Sequence, residues 1–204
     1  QLKAEGKLLI RHPEYGMQDR ILLSRMDSHN GTISIQGKNY ALKDTYFPTI
    51  DPQDPLKMHP EEEETMHQLI RAFKNNTKLQ EHVRFLFSRG SMYKIVNSNL
   101  LYHGCIPLHE DGGFAGITLH GNYLDGLEQT VRKGYFAPEG SKEQLDGQDI
   151  FWYLWCGPYS PLFGKTRMTT FERYFLDEKP LMDEGKNPYY KYVETEPMCD
   201  QILV

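Results

Sequence analysis

Asn99-Leu100-Leu101-Tyr102-His103-Gly104-Cys105-Ile106-Pro107-Leu108 reads as a short buried strand that runs into a turn. Leu100, Leu101 and Tyr102 form an apolar run, bounded on its N-terminal side by Asn97-Ser98-Asn99. Gly104 lets the backbone bend with no side chain in the way, and Pro107 prevents the strand from continuing. One imidazole, His103, is left at the strand's carboxyl end. A neutral imidazole whose direction is fixed by a rigid strand suits a metal ligand. A turn histidine that donates to a carbonyl has the same local sequence. Spacing alone does not separate the two, because a metal site needs a cluster of donors.

Working back toward the N-terminus, Tyr93–Val96 forms the partner strand of Leu100–His103. Two helices precede it. Pro60 stands at a first helical position, where its missing N–H costs nothing. Glu61-Glu62-Glu63-Glu64 fills the first turn, which suits the helix dipole better than a hard metal, since such sites need spaced carboxylates. Met66, Leu69, Ile70 and Phe73 give that helix a face expected to be buried. Thr77 with Gln80 reads as a capping box for a second helix through Arg89, ended by Gly90, with Leu79, Val83 and Leu86 inward. Residues 5–45 read as a β-meander with one apolar face. Its strands are Lys7–Ile10, Arg20–Met26 and Thr32–Gln36, the last two flanking Asn30-Gly31, a strong hairpin signal. A second turn at Gln36–Asn39 returns the chain through Tyr40, Ala41 and Leu42. Thr45 to Pro60 is too rich in Pro and Asp for regular structure.

Beyond His103, the glycine-rich stretch Leu108–Gly116 reads as a surface loop, because no Lys-Ser/Thr follows it. Ile117-Thr118-Leu119 is a weak strand, and His120-Gly121 a second His-Gly that reads as a turn. Leu124–Lys133 and Ser141–Cys156 are helical, the second burying Leu145, Ile150, Phe151, Leu154 and Trp155. Gly157–Thr166 ends as Gly-Lys-Thr, yet its first glycine falls two residues too early and two prolines remove donors that a phosphate cradle requires. It is not an ATP site. Lys165 and Arg167 beside this rigid turn could instead present cations to a sugar phosphate, or serve as ordinary surface charge. Short helices follow at Thr169–Phe175, with Phe171, Tyr174 and Phe175 inward, at Asn187–Val193, and from Glu196 to the end.

The chain has 204 residues, 39% hydrophobic and 25% charged, with a net charge of −5. No basic cluster exceeds a dipeptide, which argues against a nucleic acid or an anionic membrane as partner. Cys105, Cys156 and Cys199 are few, odd in number and far apart, and fit reduced thiols in a cytoplasmic protein. No apolar run reaches membrane-spanning length.

Three stretches together resemble one family. They are Leu101–Leu108, Val83–Tyr93, and Gly157–Lys165 with Met168–Phe175. All resemble the class III fructose-1,6-bisphosphatases of the calcineurin-like metallophosphoesterase superfamily, of which this chain looks like an interior piece. The resemblance implies an α+β fold, part of a sandwich of mixed sheets flanked by helices. Residues 1–59 would form the meander and loop, and 60–204 a portion of the phosphatase domain. It implies hydrolysis of a sugar bisphosphate, fructose 1,6-bisphosphate, with divalent metal, manganese or magnesium, as cofactor and a homo-oligomer as assembly. Superfamily ligands come from Asp-x-His, Gly-Asp-x-x-Asp-Arg-Gly, Gly-Asn-His, the His-Gly seen here and a later Gly-His. Of these only the His-Gly is found, which makes His103 the metal ligand, its remaining partners expected outside this chain; Lys165 and Arg167, from the turn described above, are the expected substrate contacts. No catalytic residue is assigned, and residues 1–204 alone are expected to be inactive. Two other readings remain: a structural or regulatory segment that carries oligomer contacts, and a protein phosphatase of the same superfamily.

Overall fold

The computed structural model describes residues 1–117 and 122–203. In chain order the elements are α1 (Leu2–Arg11), β1 (Met26–Asp27), β2 (Thr32–Ile35), β3 (Lys38–Ala41), α2 (Pro60–Lys74), α3 (Thr77–Arg89), β4 (Tyr93–Val96) and β5 (Asn99–Tyr102). Then come α4 (Tyr123–Phe136), α5 (Lys142–Cys156), α6 (Thr170–Phe175), α7 (Tyr189–Tyr192) and α8 (Glu196–Leu203). The described fold is mixed α and β, with small antiparallel sheets β1-β2-β3 and β4-β5. It divides into two compact units, one of Gln1–Gly90 with Phe171–Glu178, the other of Ser91–Thr170 with Lys179–Val204.

In the first unit the expected strand Lys7–Ile10 is part of helix α1. A four-residue apolar run does not distinguish the two periods. Over the longer window Lys3, Gly6 and Leu9 are buried at helical spacing, while Ile10 is exposed. Gly6 lies against Leu56, whose side chain a Cβ there would meet at 2.6 Å. Arg20–Met26 is not a strand either: 3-10 turns occupy Gln18–Arg20 and Leu22–Arg25, and only Met26–Asp27 pairs with β2. The meander is therefore shorter than expected. Its β2–β3 turn is a two-residue type I′, with Gln36 and Gly37 both at positive φ. Ile33 and Ile35 face the core.

Helices α2 and α3 fall where expected, but their apolar faces do not. Neither helix has a buried residue; Phe73 is 62% and Leu86 59% exposed. Amphipathic spacing shows which face is apolar, not that something covers it. The α2 cap is a box of His59 and Glu62. The α3 cap is Asn76, whose Oδ1 accepts from the Leu79 N–H at 2.9 Å, one residue before the expected Thr77.

In the second unit β4 and β5 pair antiparallel from Tyr93↔Tyr102 to Val96↔Asn99, across a type I′ turn formed by Asn97 and Ser98 at positive φ. The strand is half-exposed rather than buried, with Leu101 in solvent. A two-stranded ribbon covers one face only. Helices α4 and α5 pack with their backbones in close approach. A Cβ on Gly134 would lie 2.6 Å from the Gly147 Cα, and Gly147 meets Gly134 equally closely. Ile150 and Leu154 are buried as expected, but Leu145, Phe151 and Trp155 are not. The α5 backbone is seated by Gly147, which confines burial to that side. In α6 Phe171 is buried and Tyr174 exposed; the inward partner of Phe171 is Glu172. The expected strand at residues 117–119 and the second His-Gly lie largely outside the described residues.

Candidate functional site

The connection after β5 is built by its neighbours in the second unit. His103 follows the strand directly and is exposed. Gly104 is needed for proximity rather than for an unusual bend. Its φ is not positive, but a Cβ would lie 2.6 Å from the Pro161 carbonyl oxygen. The Cys105 N–H donates to that same carbonyl at 3.0 Å. Burial pushes the Cys105 thiol up to about 11, so it stays protonated as a core group.

The Gly157–Lys165 turn is held by Ser160. Its buried hydroxyl donates to the Leu154 carbonyl at 2.6 Å and accepts from the N–H groups of Leu162 and Phe163 at 3.1 and 3.2 Å. Those N–H groups are spent inside the turn, so no anion cradle is formed. This agrees with rejecting an ATP loop there.

Asn187 ties the pieces together. It is 1% exposed, and its Oδ1 accepts from the N–H groups of Leu108 at 3.1 Å and Tyr189 at 3.0 Å. Its Nδ2 donates to the Pro158 carbonyl at 3.4 Å. One side chain thus joins the His-Gly connection, the Gly-Pro turn and the start of α7. Beneath it, Cys105, Leu108, Tyr189 and Met198 form a core cluster, and the Tyr102 and Tyr189 hydroxyls hydrogen-bond to each other. Sequence reasoning read Asn187 only as a helix opener; its turn-forming bond to the Tyr189 N–H was legible in Asn-Pro, its reach to Leu108 was not.

The other two predicted residues are engaged within the fold. Lys165 pairs with the Glu184 carboxylate, and the Arg167 Nε–H donates to the Asp183 carbonyl at 2.8 Å. The Glu184 carbonyl oxygen in turn accepts from the N–H groups of Thr166 and Arg167. The two cations are thus anchored to one acidic loop, and the charge of Lys165 is compensated. The three predicted residues lie in the same compact unit.

A literal Asp-x-His, which the sequence reading overlooked, occurs at Asp27-Ser28-His29. It forms the β1–β2 turn, where the Asp27 carboxylate accepts from the N–H groups of His29 and Asn30, each at 3.0 Å, and from Asn30 Nδ2 at 2.7 Å. The Asn30 hydrogen bonds hold its carboxyl below the usual range. That carboxylate is a turn-former.

Among the described residues no three His, Cys, Asp or Glu side chains converge on a point where a metal could sit. A divalent cation takes four or more donors. The exposed His103 imidazole is one donor, so these residues do not hold such an ion by themselves.

The comparisons identify the class. The chain matches the model of the Firmicute fructose-1,6-bisphosphatases over residues 1–204, and it belongs to that family. It is 47% identical over 209 residues to the class 3 fructose-1,6-bisphosphatase of Clostridium novyi (strain NT), covering 100% of this chain and 31% of that protein. The corresponding protein of Clostridium acetobutylicum is 49% identical over 209 residues, with the same coverage. That of Alkaliphilus metalliredigens (strain QYMF) is 49% identical over 207 residues, covering 98% of this chain and 31% of the relative. The chain thus spans 31% of the length of these curated relatives. No solved structure matches. Among the described residues no helix is long and apolar enough to cross a membrane.

Proposed function

We propose that this chain is part of a class 3 fructose-1,6-bisphosphatase, whose whole length hydrolyses fructose 1,6-bisphosphate to fructose 6-phosphate and phosphate. The observation that carries the reading is the family match across residues 1–204, with 47% to 49% identity to the relatives named above. The proposal includes a divalent cation, manganese or magnesium, for which His103 is one ligand and the others lie outside this chain. When bound, such a cation neutralises charge on the transferred phosphoryl group. The chain's own contribution is to fix the backbone on both sides of His103, through β5 on one side and the Gly104–Pro161 and Leu108–Asn187 contacts on the other.

Lys165 and Arg167 are proposed substrate contacts. Glu184 supports their orientation but competes with a phosphate for Lys165, so binding would exchange one carboxylate partner for the ligand. The metallophosphoesterase sandwich and a cytoplasmic location belong to the same proposal. The location is supported by three free cysteines, Cys105, Cys156 and Cys199, with no disulfide among them. A protein phosphatase is not favoured, since the relatives compared are bisphosphatases.

The test is phosphate release from fructose 1,6-bisphosphate by the purified full-length protein with manganese, set against residues 1–204 alone. Release by the full-length protein above a metal-only blank is expected, with none from the shorter chain. A full-length protein without release would refute the activity, and release by the shorter chain would refute the division of ligands.

A further inference from the structure

The α2–α3 hairpin of the first unit has two apolar stripes, and among the described residues nothing buries them. Met66, Leu69, Ile70 and Phe73 lie at helical spacing on α2; Leu79, Val83 and Leu86 do so on α3. Leu69, Phe73, Phe85 and Leu86 are all at least half exposed, and no residue of either helix is buried. The stripe continues beyond the hairpin, because Met66 and Leu69 also border a cleft of about 660 Å³ lined by Leu2, Phe47, Ile50 and Met58. Helices of 15 and 13 residues are each roughly 20 Å long. A continuous apolar surface of that extent marks an interaction site rather than scattered surface hydrophobics.

The charges on the two helices indicate what covers it. Helix α2 carries Glu61, Glu62, Glu63 and Glu64 against Arg71 and Lys74 and is acidic; Glu62 pairs with Lys3 and Glu64 with Arg71, so Glu61 and Glu63 are the carboxylates offered to a partner. Helix α3 carries Lys78, Arg84 and Arg89 against Glu81 and is basic. A hairpin with one acidic and one basic helix, each with an apolar stripe, is complementary to itself under a twofold rotation. The acidic α2 of one copy then lies on the basic α3 of the other, and the reverse contact follows by symmetry. The product is a four-helix bundle with both stripes inside, the usual solution for amphipathic helices in pairs.

We infer that the α2–α3 hairpin is a homodimerisation surface, closed by a second copy of this chain into an intermolecular four-helix bundle. The inference is independent of the activity proposed above, since the hairpin and the His103 connection belong to different compact units.

Sedimentation equilibrium of the full-length protein tests it, with circular dichroism as a check on helix content. The wild-type protein is expected to be at least dimeric. Phe73→Glu with Leu86→Glu should lower its mass twofold at unchanged helix content and unchanged phosphate release per chain. Should that variant fail to fold, a charge reversal decides instead. Lys78→Glu with Arg84→Glu should weaken the assembly at least tenfold, and adding Glu61→Lys with Glu63→Lys should restore it. A monomeric wild-type protein whose α2 and α3 amides are protected from hydrogen exchange would overturn the inference, since the rest of the same polypeptide would then cover the face. An assembly that survives Phe73→Glu with Leu86→Glu would overturn it as well, as would a charge reversal without rescue.

Discussion

Arg20 and Glu172, 152 positions apart, meet in a two-pronged ion pair: Nη1 to Oε1 at 2.5 Å and Nη2 to Oε2 at 3.0 Å. The Glu172 side chain is 1% exposed and that of Arg20 14%, so this contact is almost free of solvent. It fastens α6 into the first unit together with the backbone bond from the Lys43 N–H to the Phe175 carbonyl at 2.9 Å.

Breaking the pair from one side leaves an uncompensated buried charge, which costs about 3–5 kcal/mol. Arg20→Ala should therefore lower the thermal midpoint markedly. The double change Arg20→Met with Glu172→Leu removes both charges and should recover most of the loss. A double variant no more stable than Arg20→Ala would show that the pair itself, not the orphaned carboxylate, carries the effect.

The α4–α5 contact depends on two missing side chains. With 2.6 Å between a Cβ on Gly134 and the Gly147 Cα, the helices must move apart to admit a methyl group. Gly134→Ala is expected to destabilise by about 1–3 kcal/mol, despite alanine's better helix propensity. Gln148→Ala, on the exposed side of α5, should stay within about 0.5 kcal/mol of the parent. Thermal melts of the two variants make the comparison; a stabilised Gly134→Ala would refute the close approach.

Much of this architecture is legible in the sequence, and the exceptions share a cause. Caps and turn residues act locally, so Pro60, Ser141 and Asn97-Ser98 place α2, α5 and the β4–β5 hairpin correctly. Burial is not local. Leu69, Phe73 and Trp155 are apolar at helical spacing and still exposed, because what a stripe meets depends on residues far away in the chain or in another chain. Lys7–Ile10 misleads for a different reason: four apolar-rich residues are too few to show a period. At the candidate site, the His-Gly turn could be read from Gly104 and Pro107. Its fastening by Asn187 could not, since that contact spans 79 positions.

Glu62 makes the stability of the first unit sensitive to acid. Burial pushes its carboxyl up, but hydrogen bonds from the Lys3 ammonium, the His59 N–H and the Thr49 hydroxyl outweigh this and bring it to about 2, from 4.5. A carboxyl that ionises more readily in the folded state stabilises it above the unfolded pKa. That contribution is present above pH 4.5 and is lost as pH falls toward 2. Lys3→Met removes the 2.7 Å ion pair and should flatten this part of the stability curve. Thermal midpoints of parent and variant at neutral pH and through the acid limb give the comparison. Parallel curves would contradict the assignment.

Asn187→Ala tests how the His-Gly connection is held. It leaves the Leu108 N–H buried without its partner, at a cost of about 1–3 kcal/mol. Asn187→Asp keeps the acceptor oxygen and should retain most of the contact, although it buries a charge. In the full-length protein the alanine variant should also lower turnover, because the backbone beyond His103 loses a tether. Equal turnover for parent and alanine variant, both fully folded, would show that this tether does not position the site.

The most direct test of the central claim is a measurement of bound manganese together with phosphate release on the full-length protein carrying His103→Ala. His103 is exposed, so the thermal midpoint should change little. Loss of a metal ligand should weaken one metal site and slow turnover on the order of a thousandfold, with substrate binding less affected. Unchanged manganese content and unchanged turnover in a folded His103→Ala protein would contradict the account.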